Sequence, residues 1–241
     1  MNRLAALASF GLAIAMSIFA GVLLSAVGDR PPEFAKDAAA YLPWLNRNGS
    51  TFLWTHILIV SVIALFLVTV PPALYNAFKP IDSGWALTAL VAALFGFGLF
   101  AVLSIVDGWA SPVLGRMYVS SSGDLKESIA SLWRWLDAWR DEGFKTVAYF
   151  LMAIFLGANG MLMRRAAKSP IEGSGSAPWR GLGAFSLIYA ASMGLMSALN
   201  VVASLTGSPM ADDGILGLVN LILLLVAWGV WNGLILWRHN A

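Results

Sequence analysis

Residues 85–106 read WALTALVAALFGFGLFAVLSIV and contain no charged side chain. An α-helix rises about 1.5 Å per residue, so a run of this length spans about 33 Å, slightly more than the roughly 30 Å hydrocarbon core of a bilayer. Lipid offers no hydrogen-bond partner to a peptide group, which excludes a loop or an open strand at this depth. The stretch therefore predicts a transmembrane helix.

Five other stretches have a similar length and a similar apolar composition. They are residues 4–27, 52–78, 146–163, 182–205 and 215–237. Only 12% of the 241 residues are charged, and the mean hydropathy is +0.76, whereas a soluble domain carries about 25% charged residues. The predicted fold class is all-α, a polytopic membrane helix bundle with six transmembrane helices in a single domain over residues 1–241.

The first of these stretches has a second interpretation. Arg3, the apolar run and LLSAVGD at residues 23–29 also fit a secretory signal peptide. The apolar region of a signal peptide runs about 7–15 residues, whereas this run exceeds 20 residues. We therefore expect a retained span.

The charged residues that flank the spans indicate their orientation. With six spans, both termini lie on one side of the membrane, together with the connections around Lys79 and residues 164–181. That side holds seven basic and two acidic side chains: Arg3, Lys79, Arg164, Arg165, Lys168, Arg180 and Arg238, with Asp82 and Glu172. Basic residues close to span ends favour the cytoplasmic side, so we expect both termini in the cytoplasm.

A charged stretch that is rich in tryptophan precedes the fourth span, at residues 131–150, SLWRWLDAWRDEGFKTVAYF. Wound as a helix at about 100° per residue, it separates an apolar arc from an arc with Arg134, Asp137 and Asp141. The apolar arc comprises Ile129, Leu132, Trp133, Trp135, Leu136 and Trp139. The pattern predicts an amphipathic helix over about residues 125–142, in the loop between spans 3 and 4.

The tryptophans of this helix indicate where it lies. Tryptophan favours the headgroup layer because its ring is apolar while its N–H requires a polar partner. We predict an interfacial helix that lies flat on the bilayer and covers the bundle as a lid, with Trp133, Trp135 and Trp139 as anchors. Docking of a partner protein is the alternative.

Small residues recur every four positions in two spans. The first span has Ala5, Ser9, Ala13, Ser17, Gly21 and Ser25, and the fifth has Ser186, Ala190, Gly194 and Ala198. Such a row lets a second helix approach closely, so we expect both rows to face helices and not lipid. The pair Pro71–Pro72 is predicted to kink or end the second span.

Six polar side chains are predicted to lie at one depth beneath the interfacial helix. They are His56, Asp107, Lys145, Tyr149, Asn200 and Asn220, contributed by five spans. An imidazole, a carboxylate and an ammonium group suffice to bind a polar ligand or to handle protons, and ionisable groups inside a membrane often have such a role. The alternative is structural: Asp107 caps a helix or pairs with Lys145, and the asparagines fix the register of neighbouring helices.

The sequence carries no motif for a cofactor or a metal. His239 and His56 lie at opposite ends of the predicted spans, which excludes a haem held by two histidines. The absence of cysteine excludes disulfides, iron–sulfur ligation and thiolate nucleophiles, and the HExxH, Walker A and GxSxG patterns are absent. With a net charge of only +2 there is no electrostatic case for nucleic acid, so we expect membrane lipids as partners.

Three functions are compatible with these features. The first is a non-enzymatic protein, either a binding module for a lipid- or quinone-like molecule or an accessory subunit in a homo- or hetero-oligomer within the membrane. The second is a small-solute or proton-coupled transporter, which requires a polar path across the bilayer. The third is an intramembrane lipid-modifying enzyme with His56 as the base and Asp107 orienting it, which requires the two within hydrogen-bond reach.

The layout of the chain resembles a known family. Six spans, a first span rich in small residues, an amphipathic helix in a long outer loop, and RDEGFKTVAYFL at residues 140–151 resemble a family of bacterial multi-pass membrane proteins of unknown function. The resemblance covers most of the chain in layout and implies a bacterial cytoplasmic membrane. The family implies no established activity, so no catalytic residue is carried over from it.

Overall fold

The computed structural model describes residues 2–25, 37–168, 176–206 and 219–238, and all regular structure in these ranges is helical. The α-helices in these ranges are α1 Asn2–Ser25, α2 Ala38–Phe78, α3 Ser83–Ser120, α4 Gly123–Ala138, α5 Lys145–Ala166, α6 Ser176–Thr206 and α7 Leu225–Arg238. Two π-helical turns, Trp139–Phe144 and Val219–Leu224, lead directly into α5 and α7. The all-α prediction is confirmed.

Four of the helices are long and apolar enough to cross a membrane. They are α2, α3, α5 and the part of α6 from Trp179 to Thr206. The apolar stretch of α1, Arg3–Phe19, is shorter, and parts of two predicted spans, residues 26–27 and 215–218, lie outside the described residues. The length and composition of these four helices indicate a membrane protein.

Local sequence signals set the beginnings of three helices. Asp37 Oδ1 accepts a hydrogen bond from the Ala39 N–H at 2.9 Å where α2 begins, and Asp82 Oδ1 accepts one from the Trp85 N–H at 3.1 Å where α3 begins. These carboxylates satisfy amides that have no partner within the helix. Gly123, with φ of +55°, begins α4 in a conformation that other residues rarely adopt, and it allows the chain to reverse after α3.

The helices pack in sequence order, α1 with α2, α2 with α3, α3 with α5 and α5 with α6, and α7 returns to α1. Four rings from α2, α3, α5 and α7 meet inside this bundle. Their centroids are 4.9 Å apart for Phe66–Phe97, 5.8 Å for Phe97–Phe155, 5.8 Å for Phe155–Trp228 and 6.2 Å for Trp228–Phe66. All four side chains of this closed ring, which we call the aromatic quartet, are buried.

The row of small residues in α1 faces another helix along only part of its length. Ala5, Ser9 and Ala13 are buried, whereas Ser17 and Gly21 are exposed. A Cβ on Gly229 of α7 would lie 3.0 Å from the Ser9 carbonyl oxygen, so the two backbones are in direct contact. In α6 the same division appears, with Ser186 buried and Ala198 exposed.

The helices α2 and α3 are much longer than the spans predicted from the sequence. Their 41 and 38 residues extend over about 61 Å and 57 Å, roughly twice the thickness of a hydrocarbon core. The added turns pair with each other and with α4 around a second hydrophobic cluster, separate from the cluster that contains the aromatic quartet. Its buried members are Ala38, Tyr41, Leu42, Trp44, Leu45, Phe52, Leu114, Tyr118, Ile129 and Trp133. We call residues 38–52, 108–120 and 123–138 the head.

Glycine permits the close contact between α2 and α3 within the head. A Cβ on Gly115 would lie 2.8 Å from the Leu42 carbonyl oxygen and 2.9 Å from the Asn46 nitrogen. A Cβ on Gly49 would lie 3.0 Å from the Pro112 Cβ. At these distances a side chain would have to push the helices apart, so the two glycines fix the register of the pair.

The helix α4 packs along the end of α3, and its flat position on a bilayer stays a prediction. Near its start, the Lys126 ammonium lies 4.6 Å from the Tyr118 ring centroid, and just beyond its end Arg140 contacts Asp107. The helix therefore runs antiparallel to the last turns of α3 and packs lengthwise against α2 and α3. The helical wheel identified an apolar arc but could not show that a second helix pair would bury one side of it.

The second span does not end at its prolines. Although Pro71 and Pro72 lack the N–H groups that bond to the preceding turn, α2 continues through them to Phe78. Of the predicted kink or end, the end is contradicted, and the kink stays a prediction. In an apolar surrounding, the helix leaves fewer peptide groups unsatisfied than any other conformation of the chain.

Candidate functional site

His56 lies directly against α3, at a position where only glycine fits. A Cβ on Gly108 would lie 2.5 Å from His56 Cβ and 2.9 Å from His56 Cγ, well inside van der Waals contact. The neighbouring residue in the sequence, Asp107, then brings its carboxylate to His56, with 3.5 Å between Asp107 Oδ2 and His56 Nε2. Two of the six side chains of the predicted polar layer are thus in contact.

Asp107 is held by three side chains from three segments. Its Oδ1 accepts hydrogen bonds from Ser111 Oγ at 2.6 Å and from Arg140 Nη1 at 2.7 Å, while His56 approaches Oδ2. The second guanidinium nitrogen, Arg140 Nη2, donates to Asp137 Oδ1. We call His56, Asp107, Ser111, Asp137 and Arg140 the charged junction.

The charged junction is largely shielded from solvent. The exposed fractions of its charged side chains are 16% for Asp107, 11% for Asp137 and 21% for Arg140, and the imidazole of His56 is 8% exposed. Because partly buried charges are weakly screened, loss of one partner leaves the others without compensation. The junction therefore ties the π-helical turn after α4 to α2 and α3.

The two nitrogens of His56 are both engaged within the protein. Nδ1 lies 2.7 Å from the Phe52 carbonyl oxygen, which only accepts hydrogen bonds, so Nδ1 carries a proton. Nε2 faces Asp107, and the rings of Phe52 and Phe19 lie 4.3 Å and 5.9 Å from the imidazole. Both nitrogens therefore have a neighbouring polar group among the described residues.

Three further members of the predicted layer lie at or near the C-terminal part of α6. Asn220 Nδ2 lies 2.9 Å from Met196 Sδ, and Asn200 is one helical turn beyond Met196. Ser197 Oγ donates to the Thr146 carbonyl oxygen at 3.1 Å, which brings the first turn of α5 to the same place. Tyr149, one turn further along α5, is fully buried. We call Thr146, Tyr149, Ser197, Asn200 and Asn220 the amide cluster.

Members of the predicted polar layer thus occur in both the charged junction and the amide cluster. His56 and Asp107 belong to the charged junction, while Tyr149, Asn200 and Asn220 belong to the amide cluster. Lys145 begins α5, and its ammonium lies 5.9 Å from the Tyr149 ring centroid. The carboxylate of Asp107 has Arg140 as its cation at 2.7 Å, a partner that the sequence reasoning did not select.

Sequence reasoning missed Arg140, Asp137 and Ser111. The spacing of Asp107 and Ser111, four residues apart on a helix, was a readable signal because such side chains lie on one face. The pairing of Arg140 with Asp107 joins residues 33 positions apart and follows from the antiparallel packing of α4, which no local pattern encodes. Asp137 was assigned to the polar arc, yet it is buried.

The three predicted tryptophan anchors have different surroundings. Trp133 is 4% exposed and packs against Tyr41 in a tilted arrangement, with 5.2 Å between the ring centroids. Trp135 is 62% exposed, and Trp139 lies parallel to it at 6.3 Å. Trp133 thus belongs to the core of the head, while Trp135 faces outward.

A separate ion pair joins α3 and α5 at the other end of the bundle. Arg165 Nη1 lies 2.7 Å from Asp82 Oδ2. The hydrogen bond from the Trp85 backbone N–H lowers the pKa of the Asp82 carboxyl, and the Arg165 guanidinium lowers it further. This pair lies close to the basic residues that the sequence analysis assigns to the cytoplasmic side.

Within the described residues, no group of three or more His, Cys, Asp or Glu side chains is placed to hold a metal ion.

Comparison with known proteins found no relative of this chain. No family model matches the sequence, and no curated protein or solved structure matches it either.

Proposed function

We propose that the chain crosses a bacterial cytoplasmic membrane six times, with both termini in the cytoplasm and the head outside. Trp54 and Trp109 support this boundary, because they are exposed on adjacent turns of α2 and α3 beside His56 and Gly108, as expected of a tryptophan belt. From Trp54 to Lys79 is a rise of about 37 Å. That distance fits one crossing of a bilayer.

The basic residues at the opposite end support the orientation. Arg164, Arg165, Lys168 and Arg180 are exposed there, and positive charge next to span ends favours the cytoplasmic side. The resemblance to a bacterial multi-pass family agrees with this arrangement and remains part of the proposal.

The orientation can be tested with single cysteines, because the chain contains none. Ser128→Cys lies on the exposed face of α4, and Lys168→Cys lies at the basic end. A maleimide that does not cross membranes is expected to label Ser128→Cys in intact cells and Lys168→Cys only after the cells are lysed. The reverse pattern, or labelling of both positions in intact cells, would contradict the proposed topology.

Within that topology we infer a non-enzymatic role, as an accessory subunit of a membrane complex or as a binding protein for a lipid- or quinone-like molecule. This inference rests on the contacts of the Asp107 carboxylate, which accepts hydrogen bonds from Ser111 and Arg140 and lies against His56. A carboxylate and an imidazole that serve catalysis need an accessible reacting atom, whereas these two groups contact each other and are held by the helices beside them.

The outward surface of the head supports the accessory form of the proposal. Leu125, Leu132 and Trp135 are exposed on α4, and Met117 and Val119 are exposed at the end of α3. Large apolar side chains that are grouped on a surface outside the membrane mark contacts with other molecules. The amide cluster supports the ligand form, since the Asn200 amide and the Thr146 hydroxyl are buried with no hydrogen-bond partner among the described residues and suit a carbonyl oxygen.

A proton-coupled transporter is a second candidate, which the contact between His56 and Asp107 favours. It also requires a polar path to the inner side. The aromatic quartet lies about ten residues along α2 and α3 from this contact, or about 15 Å, and it fills the space between the helices with buried rings. Transport would therefore require the quartet to separate.

Native mass spectrometry after mild extraction tests the leading proposal. We expect the 25.8 kDa chain to retain either a protein subunit or a bound lipid or quinone, and the added mass distinguishes the two forms. If a subunit binds the head, Leu132→Ser combined with Trp135→Ser should release it, whereas Ser128→Ala on the same helix should retain it. A chain that emerges alone, at any extraction strength that keeps it folded, would overturn both forms.

A further inference from the structure

We propose that Arg164 and Arg180 bind the phosphate group of an anionic phospholipid at the basic end of the α5–α6 pair. The site rests on the proposed function only in that α5 and α6 cross a membrane, and it is compatible with either form of the non-enzymatic role. It is separate from the amide cluster, which lies at the opposite end of the same two helices.

A close contact between two glycines brings the two arginines to one place. A Cβ on Gly160 of α5 would lie 2.9 Å from the Gly183 carbonyl oxygen, and a Cβ on Gly183 would lie 2.9 Å from the Gly160 carbonyl oxygen. The added carbon on Gly183 would also lie 3.0 Å from Arg164 Cγ, so the stem of this arginine packs on α6. Arg180 lies about one turn before Gly183. Since α5 and α6 run antiparallel, it is on the same side of the crossing as Arg164.

The two arginines belong to a segment with an excess of positive charge. Residues 164–181 contain four basic side chains and one acidic side chain. One of the four basic side chains already forms the ion pair with α3. The acidic one, Glu172, lies outside the described residues, and it compensates one further positive charge at most. At least two of Arg164, Lys168 and Arg180 therefore lack an acidic partner in this segment and attract an anion from outside it.

The surface next to the arginines suits a hydrocarbon chain. Ala184 and Ile188 follow Arg180 at helical spacing, and both are exposed. On α5, Gly157 is only partly buried, and a Cβ added to it would lie 3.7 Å from the Ala190 Cβ. The two helices thus present small or aliphatic side chains beside a pair of cations. This combination matches a molecule with an anionic group at one end and an acyl chain at the other.

The chemistry of arginine favours a phosphate as the anionic group. A guanidinium donates two parallel hydrogen bonds to the oxygens of one phosphate, and Arg164 and Arg180 offer two such groups from different helices. Basic groups between spans on the cytoplasmic side bind anionic headgroups. A zwitterionic lipid carries its own cation beside the phosphate, so it gains less from these arginines.

Native mass spectrometry of the full chain with added lipid tests the site. The probe is phosphatidylglycerol, and phosphatidylcholine with the same acyl chains is the zwitterionic reference. One basic residue at a membrane surface changes the affinity about fivefold, so Arg164→Gln combined with Arg180→Gln should weaken binding of the first phosphatidylglycerol about 25-fold. The affinity for phosphatidylcholine should not change. A wild type without a preference for phosphatidylglycerol would overturn the proposal.

Arg47→Gln combined with Arg116→Gln is the matched control. Both arginines are exposed on the head, and their replacement lowers the net charge by the same amount. This variant should bind phosphatidylglycerol as wild type does. An equal loss of affinity in the two double variants would show that overall charge and not this site attracts the lipid, and it would refute the proposal.

A single variant covers the case in which the double variant does not fold. Arg180 is exposed, whereas Arg164 packs against Gly183, so Arg180→Gln is the safer change. It should weaken phosphatidylglycerol binding about fivefold, and an unchanged affinity would contradict the proposed contact. Excess inorganic phosphate should not displace the lipid, because it lacks the acyl chain. Displacement would indicate a site for a soluble anion and would overturn the assignment to a lipid.

Failure of this site can be distinguished from failure of the proposed function. A chain that does not cross a membrane would not float with liposomes of either lipid, which would refute both. A chain that floats with both kinds of liposome and shows no preference in the mass spectrometer refutes the lipid site alone. A lipid or quinone that stays bound to the double variant belongs to the ligand form of the proposed function, and not to Arg164 and Arg180.

Discussion

Replacing Arg140 with methionine tests whether the charged junction holds α4 in place. Methionine keeps much of the length and apolar contact of the arginine stem but removes the two nitrogens that bind Asp107 and Asp137. Breaking a fully buried ion pair from one side costs about 3–5 kcal/mol. Since these carboxylates are 16% and 11% exposed, water recovers part of that loss, and we expect about 2 kcal/mol.

That magnitude corresponds to about thirtyfold faster local opening of α4, which is measurable by hydrogen exchange of amides 123–138 at a fixed pH. Arg134→Met is the matched control, because Arg134 is exposed and its nearest partner is the neighbouring Ser131 at 3.2 Å. A surface change of this kind is expected to stay within about 0.5 kcal/mol. Equal effects of the two variants, or an Arg140 effect no larger at α4 than at α6, would refute the reasoning.

Three other changes test separate parts of the structure. Gly108→Ala places a Cβ 2.5 Å from His56 Cβ and should destabilise the protein by about 1–3 kcal/mol in a reversible detergent-unfolding assay, whereas Gly98→Ala, with no atom within 4 Å of the added carbon, should be tolerated. Phe97→Ala opens a cavity in the aromatic quartet and should cost about 3–5 kcal/mol in the same assay; a loss below 1 kcal/mol would contradict the packing described. Because the pKa of the Asp82 carboxyl is lowered in the folded protein, this group stabilises the fold fully above its ordinary pKa of about 3.9, and its contribution declines as the pH falls. The hydrogen-exchange rates of amides at the start of α3 should therefore differ between wild type and Asp82→Asn at pH 6. The two rates should converge toward pH 3.

The membrane character of the chain follows from composition, and the lengths of its helices do not. Residues 38–51 contain a proline, an arginine and three asparagine or serine residues, which is a composition typical of loops, yet they continue α2. They are helical because Leu42, Leu45 and Phe52 repeat at helical spacing and bury a shared face against α3 and α4. The partner helices supply this stabilisation, so it cannot be read from the segment alone.

The candidate site shows the same limit at the level of single side chains. Depth along a span can be counted from the sequence, and the count placed His56 and Asp107, whose side chains are 3.5 Å apart, at one level. The rotation of each helix about its axis cannot be counted in this way. For that reason, the contact of Asn220 with Met196 of α6 could not be predicted from the sequence.

The charged junction lies at the point where the two hydrophobic clusters of the protein meet, and this position explains why charges are used there. One face of α4 packs on α2 and α3, while Leu125, Leu132 and Trp135 on its other face are exposed. Apolar burial therefore uses only part of the helix surface to hold α4 in place. The ion pair of Arg140 with Asp107 adds a polar contact just beyond the end of α4, and this contact favours the observed packing over one in which α4 leaves the helix pair.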